Sequence, residues 1–244
     1  MKDILEDIIA HTHALSFLPL VKVTNDNDET LIESLADTRS VVLSAKTNAP
    51  VKEFKGTFGM PNLDKLALHL KNPEYQTDAN IEVVEGERNG ETLPTHIHFS
   101  NKTGDFENDY RFMNRTQITE KLKDVKFKGP TTWEVELDPT ASAISRMKLQ
   151  AAALSEETVF NVKTEGNDLI VSFGDNSSHA GKFTFMPNIK GTLKHTWSWP
   201  VTEVIAILSL NGHISMKISD RGLMVIRVSS GLAVYEYMLP AQSK

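Results

Sequence analysis

Two histidines one residue apart, His96 and His98, lie in THIHFS (95–100), a run with strand character. Strand side chains at i and i+2 leave the same face, so both imidazoles share one side and offer two donors of a metal site. No third ligand stands near them in the sequence, and two exposed strand histidines explain the pair without a metal. His11 and His13 have the same spacing in a helical segment, where it sends the rings apart. The acidic stretch NDNDET (25–30) carries oxygen donors but lacks the sixth-position Gly and closing Glu of a calcium loop, and a hairpin turn accounts for it. No phosphate-binding GxxxxGKS/T loop, GxGxxG or GxSxG occurs, and there are 0 cysteines to act as nucleophiles. Ser, His and Asp show no spacing that assembles a triad. A hydrolase with a triad scattered along the chain is a minor alternative. The expectation is a protein that is not an enzyme and uses no metal and no cofactor.

The remaining chemistry is charge. In TASAISRMKLQAAALS (140–155), Ala143, Ile144, Met147, Ala151 and Leu154 fall on one stripe of a helix. Arg146 and Lys148 flank that stripe, and Ser142, Ser145, Leu149 and Ala153 lie between them on the outer face. A surface that attracts phosphate without reading bases needs a few flexible cations among small neutral side chains. Lys65, His69 and Lys71 in a second helical segment are further cations of this kind, as are Lys2, His11 and His13 near the amino terminus. Asp3, Glu6 and Asp7 in the opening helix would repel phosphate.

The 244 residues carry a formal net charge of −6, with 40% hydrophobic and 24% charged residues, the balance of a globular protein. That charge excludes a protein that coats nucleic acid with its whole surface, but leaves room for a local basic face. The absence of cysteine excludes a disulfide framework. No apolar run approaches the roughly 20 residues that span a bilayer, and the acid-bearing amino terminus is unlike a secretory signal. The chain is therefore expected in a reducing cytoplasm, away from membranes.

The elements that position these residues repeat. FKGTFGMPNLDKLALHLKN (54–72) aligns without a gap over LKHTWSWPVTEVIAILSLN (193–211), pairing Lys55 with Lys194, Thr57 with Thr196, Pro61 with Pro200, Ala67 with Ala206 and Asn72 with Asn211. Both copies read as a strand entering a helix with Pro in its first turn. The same offset of 139 places Ala14, Leu15 and Ser16 over Ala153, Leu154 and Ser155, and Asp3, Glu6 and Asp7 over Ser142, Ser145 and Arg146. Strand candidates are LPLVKV, TLIESL and SVVLSAK in the first half and TVFNVKT, DLIVSF and GKFTFM in the second. Hairpins with Asn89-Gly90 or Ser230-Gly231 among their turn signals end the halves. Each half is helix, strands, helix, strands, with two helices too few to cover both faces of the sheet. The fold class is α+β, two similar domains of antiparallel sheet with helices on one side. The expected domains are residues 1–114 and 131–244, joined by a polar, basic connector at 115–130.

GLMVIRVSSGLAVYEYMLPA (222–241) resembles the carboxyl-terminal strands of DNA polymerase sliding clamps, where a last hairpin leads into a Leu-Pro-Ala tail. LIESLADTRSVVLSA (31–45) sits where such clamps have an exposed loop between two strands. The resemblance covers almost the whole chain and fits the two-domain proliferating-cell-nuclear-antigen type, above all the clamps of T-even-like bacteriophages and cyanophages. It implies a DNA clamp fold assembling into a homotrimeric ring around double-stranded DNA, independent of sequence. Such a processivity factor tethers DNA polymerase, is placed by a clamp loader, and takes late-transcription proteins as further partners. Carried over by position, the pocket for a partner's hydrophobic peptide would use Leu35, Arg39 and Val41 from the loop, Val125 and Phe127 from the connector, and Leu239, Pro240 and Ala241 from the tail. Six domains laying two helices each, about 10 Å wide, around a hole give a layer roughly 120 Å around, with roughly 28 Å free inside. A duplex roughly 20 Å thick passes with a layer of water. The alternative function is a duplicated α+β structural or virion-assembly module that never encloses DNA.

Overall fold

The computed structural model describes residues 1–26, 28–88, 91–122, 132–175 and 179–242. The chain divides into two units, Met1–Lys126 with Ser230–Tyr235, and Phe127–Ser229 with Glu236–Lys244. The first unit opens with α1 (Lys2–His11) and a 3-10 turn (His13–Leu15), followed by β1 (Val21–Asn25), β2 (Thr30–Leu35), β3 (Val42–Thr47) and β4 (Gly56–Met60). Then come α2 (Leu63–Lys71), a 3-10 turn (Pro73–Tyr75), β5 (Asn80–Arg88), β6 (Glu91–Ser100), β7 (Glu107–Arg111) and α3 (Arg115–Lys121). The second runs β8 (Val135–Leu137), α4 (Ala141–Ala153), β9 (Val159–Glu165), β10 (Asp168–Phe173), β11 (Gly181–Met186), β12 (Trp197–Pro200), α5 (Val201–Leu208), β13 (His213–Ser219) and β14 (Leu223–Ser229). The last strand, β15 (Ala233–Pro240), contributes its first residues to the first unit and the rest to the second.

The internal repeat is visible in the pairing. β1 pairs antiparallel with β2 and β4, giving the order β4-β1-β2-β3, and β9 pairs antiparallel with β10 and β12, giving β12-β9-β10-β11. β3 begins at Val42 and β11 at Gly181, so the offset is 181 − 42 = 139, the value that aligns the helices. The burial pattern of β1 alternates, with Val21 and Val23 buried and Lys22 and Thr24 half-buried. One sheet face therefore carries the core and the other meets solvent. Leu5, Ile8, Val21, Val23, Phe58 and Leu66 pack in the first unit's core; Met147, Phe160, Val162, Trp199 and Val204 do so in the second.

Two local details differ from the sequence expectation. The prolines precede the helical turns they were expected to occupy: Pro200 is the N-cap of α5, and Pro61 lies one residue before Asn62, the N-cap of α2. A third helix, α3, forms where a polar connector was expected. Asn114 and Gln117 close a capping box at its start, and Ile118 is buried beneath it. A Cβ on Gly59 would come within 2.7 Å of Ile118, so glycine lets the helix lie close to β4.

Candidate nucleic-acid interface

α4 turns the expected stripe inward. Ala143, Met147 and Leu154 are buried and Ile144 and Ala151 half-buried, while Ser142, Ser145, Arg146, Lys148, Leu149, Ala152 and Ala153 are exposed. Thr140 caps the helix, its hydroxyl accepting the amide of Ala143 at 3.1 Å. No carboxylate lies on this helix, and neither Arg146 nor Lys148 has an ion-pair partner among the described residues. The result is a cationic strip on a floor of small side chains. α5 has no cation.

The first unit's helices differ. On α2, Asp64, Lys65, Leu68 and Lys71 are exposed. His69 is half-buried with its ring 5.2 Å from Phe99; burial, and then the nearby Lys65 charge, push its pKa below the ordinary 6.5. Both causes favour the neutral imidazole over the cation. His13 and Lys71 come together along an open groove of about 640 Å³, also lined by Ser16, Asn62 and Asp64. The ammonium of Lys2 donates to the carbonyl of Tyr75 at 3.2 Å and to Oε1 of Gln76 at 2.9 Å, which holds it against the turn after α2.

Two expectations at α1 are corrected. His11 is 4% exposed and its ring stacks on Tyr235 at 4.1 Å, so it belongs to the core and not to a DNA-facing surface. Asp7 does not project outward to repel phosphate. Its Oδ2 accepts hydrogen bonds from Ser230 Oγ at 2.9 Å and Tyr235 OH at 2.8 Å, and its side chain is 11% exposed. Asp3 and Glu6 remain on the exposed face.

The peptide-pocket residues separate into exposed or half-buried and fully buried side chains. In the first unit, Leu35 is half-buried and Arg39 exposed at a left-handed φ of 58°, but Val41 is 0% exposed, sealed in the core. In the second, Leu239 is likewise 0% exposed, and its carbonyl accepts the indole N–H of Trp199 at 3.0 Å. Side chains alternate along β15, so Met238 and Pro240 take the opposite face and are half-buried, as is Ala241 beyond the strand. The period-2 pattern of AVYEYMLP places Met238 on the same face as Pro240. Val125 and Phe127 lie outside the described residues.

His96 and His98 meet a carboxylate on the neighbouring strand. His98 Nδ1 is 2.9 Å and His96 Nε2 3.5 Å from Asp109 Oδ1, while Arg111 donates to Asp109 Oδ2 at 2.9 Å. The hydrogen bond from His98 holds Asp109 below the usual carboxylate range, and burial pushes His96 down. Among the described residues, no group of three His, Cys, Asp or Glu side chains is placed to hold a metal. In the NDNDET stretch, Asp26 Oδ1 accepts the amides of Asp28 and Glu29, each at 3.2 Å, between β1 and β2. Asn27 lies outside the described residues, as does the Asn89-Gly90 turn. No helix is long and apolar enough to cross a membrane among the described residues.

This architecture, a duplicated α+β unit with helices laid on antiparallel sheet, is the clamp fold of the PCNA type. A crystal structure of PCNA from Thermococcus kodakaraensis matches at a TM-score of 0.68 with 11% identity, covering 99% of this chain and 97% of that one. A. fulgidus PCNA, in a structure with the C-terminal region of FEN-1 bound, matches at 0.66 with 11% identity, over 100% and 95% of the chains. Proliferating Cellular Nuclear Antigen from Entamoeba histolytica matches at 0.63 with 10% identity, over 99% and 94%. No family model and no curated protein sequence matches the chain.

Proposed function

We propose that the chain is a sliding clamp, a non-enzymatic processivity factor that encircles duplex DNA as a homotrimer and tethers DNA polymerase. The observation that carries this reading is the exposed face of α4, where Arg146 and Lys148 stand free of carboxylates on small neutral residues, in a chain with the clamp fold over nearly its whole length. Two cations per helix attract the backbone weakly and without reading sequence, and salt screens them, so retention on DNA would come from ring closure. Among the described strands that end a sheet order are β7 in the first unit and β11 in the second. Edge strands of this kind suit head-to-tail pairing between copies, the contact type that closes rings. By likeness to the PCNA that carries a bound FEN-1 segment, short peptides of replication proteins are the proposed partners. Leu35 and Arg39 in the first unit and Met238, Pro240 and Ala241 in the second are candidate docking residues. A clamp loader and late-transcription proteins complete the proposed partners, and the cytoplasm is the proposed compartment. The bacteriophage resemblance gains no support from the structures that match.

The exposed Asp3 and Glu6 favour a second reading, a duplicated structural or virion-assembly module that does not enclose DNA. Mass in solution and imaging separate the two. A particle of three times 27.2 kDa with a central hole is expected, together with longer polymerase products when the matched loader and polymerase are added. A strict monomer at high concentration, or a particle without a hole, overturns the clamp.

A further inference from the structure

Four large apolar side chains stand exposed among the described residues: Leu68 (68%), Phe106 (42%), Leu149 (68%) and Leu232 (43%). Two of them lie on helices, and the placement follows the charges. Of the four helices in repeated positions, α2 and α4 carry exposed cations free of ion pairs, and these are the two that carry an exposed leucine. Leu68 lies three residues from both Lys65 and Lys71, and Leu149 three from Arg146, spacings that make them neighbours on one helix face. On α4 the remaining exposed groups are Ser and Ala, so Leu149 is the tallest uncharged side chain there. The repeat does not account for the pair, because the 139-residue offset matches Leu68 with the buried Ile207 and Leu149 with Ala10.

We infer that Leu149, and Leu68 in the first unit, are stand-off residues that hold duplex DNA away from the helix floor. The inference rests on the clamp reading, and charge complementarity with the flanking cations selects the duplex as occupant. A leucine neither donates to nor accepts from a phosphate, and against sugar C–H surface it makes the same weak dispersion contact at every base pair. It limits how closely the backbone approaches, while the longer Arg146 and Lys148 reach phosphates through water. Charges that meet across water attract less than charges in direct contact, so the duplex is held without being gripped. Leu149 is a positioning residue in this scheme, since it sets the distance over which the cations act.

The test tracks single loaded rings along end-blocked DNA at several salt concentrations. L149A leaves the net charge unchanged, so slower diffusion at an unaltered trimer mass and unfolding midpoint is expected. L149K is expected to steepen the salt dependence by about 0.9 per added phosphate contact. An L149A ring that diffuses like the wild type overturns the stand-off role. The R146E/K148E ring in the same assay separates the two levels of inference. If its diffusion differs from the wild type while L149A is unchanged, only the stand-off role fails; if it diffuses like the wild type at every salt concentration, the α4 face does not meet DNA and the clamp reading of that surface fails with it.

Discussion

α1 and α4 hold the same place in their units, and the 139-residue offset pairs them residue by residue, yet they present opposite charges. The inner stripes agree: Ile8 and Met147 are 0% and 1% exposed, and Leu15 and Leu154 are 4% and 7%. The outer faces do not, with Asp3 and Glu6 standing where Ser142 and Ser145 stand in the other copy. A sheet built the same way twice restricts whatever packs against it, and the face turned to solvent is free to diverge. Asp7 and Arg146 show the most divergent use of one position. One is an internal acceptor for two hydroxyls; the other is an exposed cation.

The largest effect expected from this contrast is on folding. Asp7→Ala removes the carboxylate that accepts from Ser230 and Tyr235, with Ser230 keeping the Ala233 carbonyl at 3.2 Å, and is expected to cost about 3 kcal/mol in denaturant unfolding from the loss of two hydrogen bonds to that carboxylate. Arg146→Ala at the matching position is expected to leave the unfolding midpoint unchanged; equal losses would erase the contrast. Next in size, R146E/K148E is expected to slow loading onto DNA sharply and to flatten the salt dependence of loading by about 2 per helix, with the thermal midpoint kept. D3S/E6S, which copies the α4 residues onto α1, is expected to speed loading modestly. An unchanged loading rate would show that α1 does not face the duplex.

The smallest expected effect is a pH dependence of the first unit. His69 and His96 both have folded pKa values lowered from the ordinary 6.5 by burial. The unfolded chain then binds protons that the folded one does not. Their contribution is complete above about pH 6.5 and is lost as pH falls below it. H69Q/H96Q should flatten this limb in unfolding midpoints measured from pH 8 to 5, and an unchanged limb would assign it to other groups.

Local pattern was legible wherever local physics decides the outcome. TLIESL, DLIVSF and GKFTFM coincide with β2, β10 and β11 at both ends, because short runs of apolar, β-branched and aromatic residues bounded by turn residues specify strands. The inward stripe of α4 followed from its 3.6-residue period. Asp7 was not legible, because its partners lie 223 and 228 residues away. Leu239 was misplaced because position along a strand does not give its parity, and a one-residue error exchanges the two faces, whereas Val41 precedes β3 in a run buried through Leu43. α3 escaped notice behind its polarity, although Asn114 and Gln117 carry a capping signature at the spacing that starts a helix.

The hydrogen bonds that Ser230 and Tyr235 give to Asp7 also bear on the order of synthesis. A ribosome that has released residues 1–126 has released most of the first unit but none of Ser230–Tyr235. Until that segment emerges, Asp7 lacks both hydroxyl donors and His11 lacks the ring it stacks on. The first unit to be made therefore stays incomplete until most of the second has been made, and a chain interrupted before residue 230 leaves an acid and an imidazole without their partners.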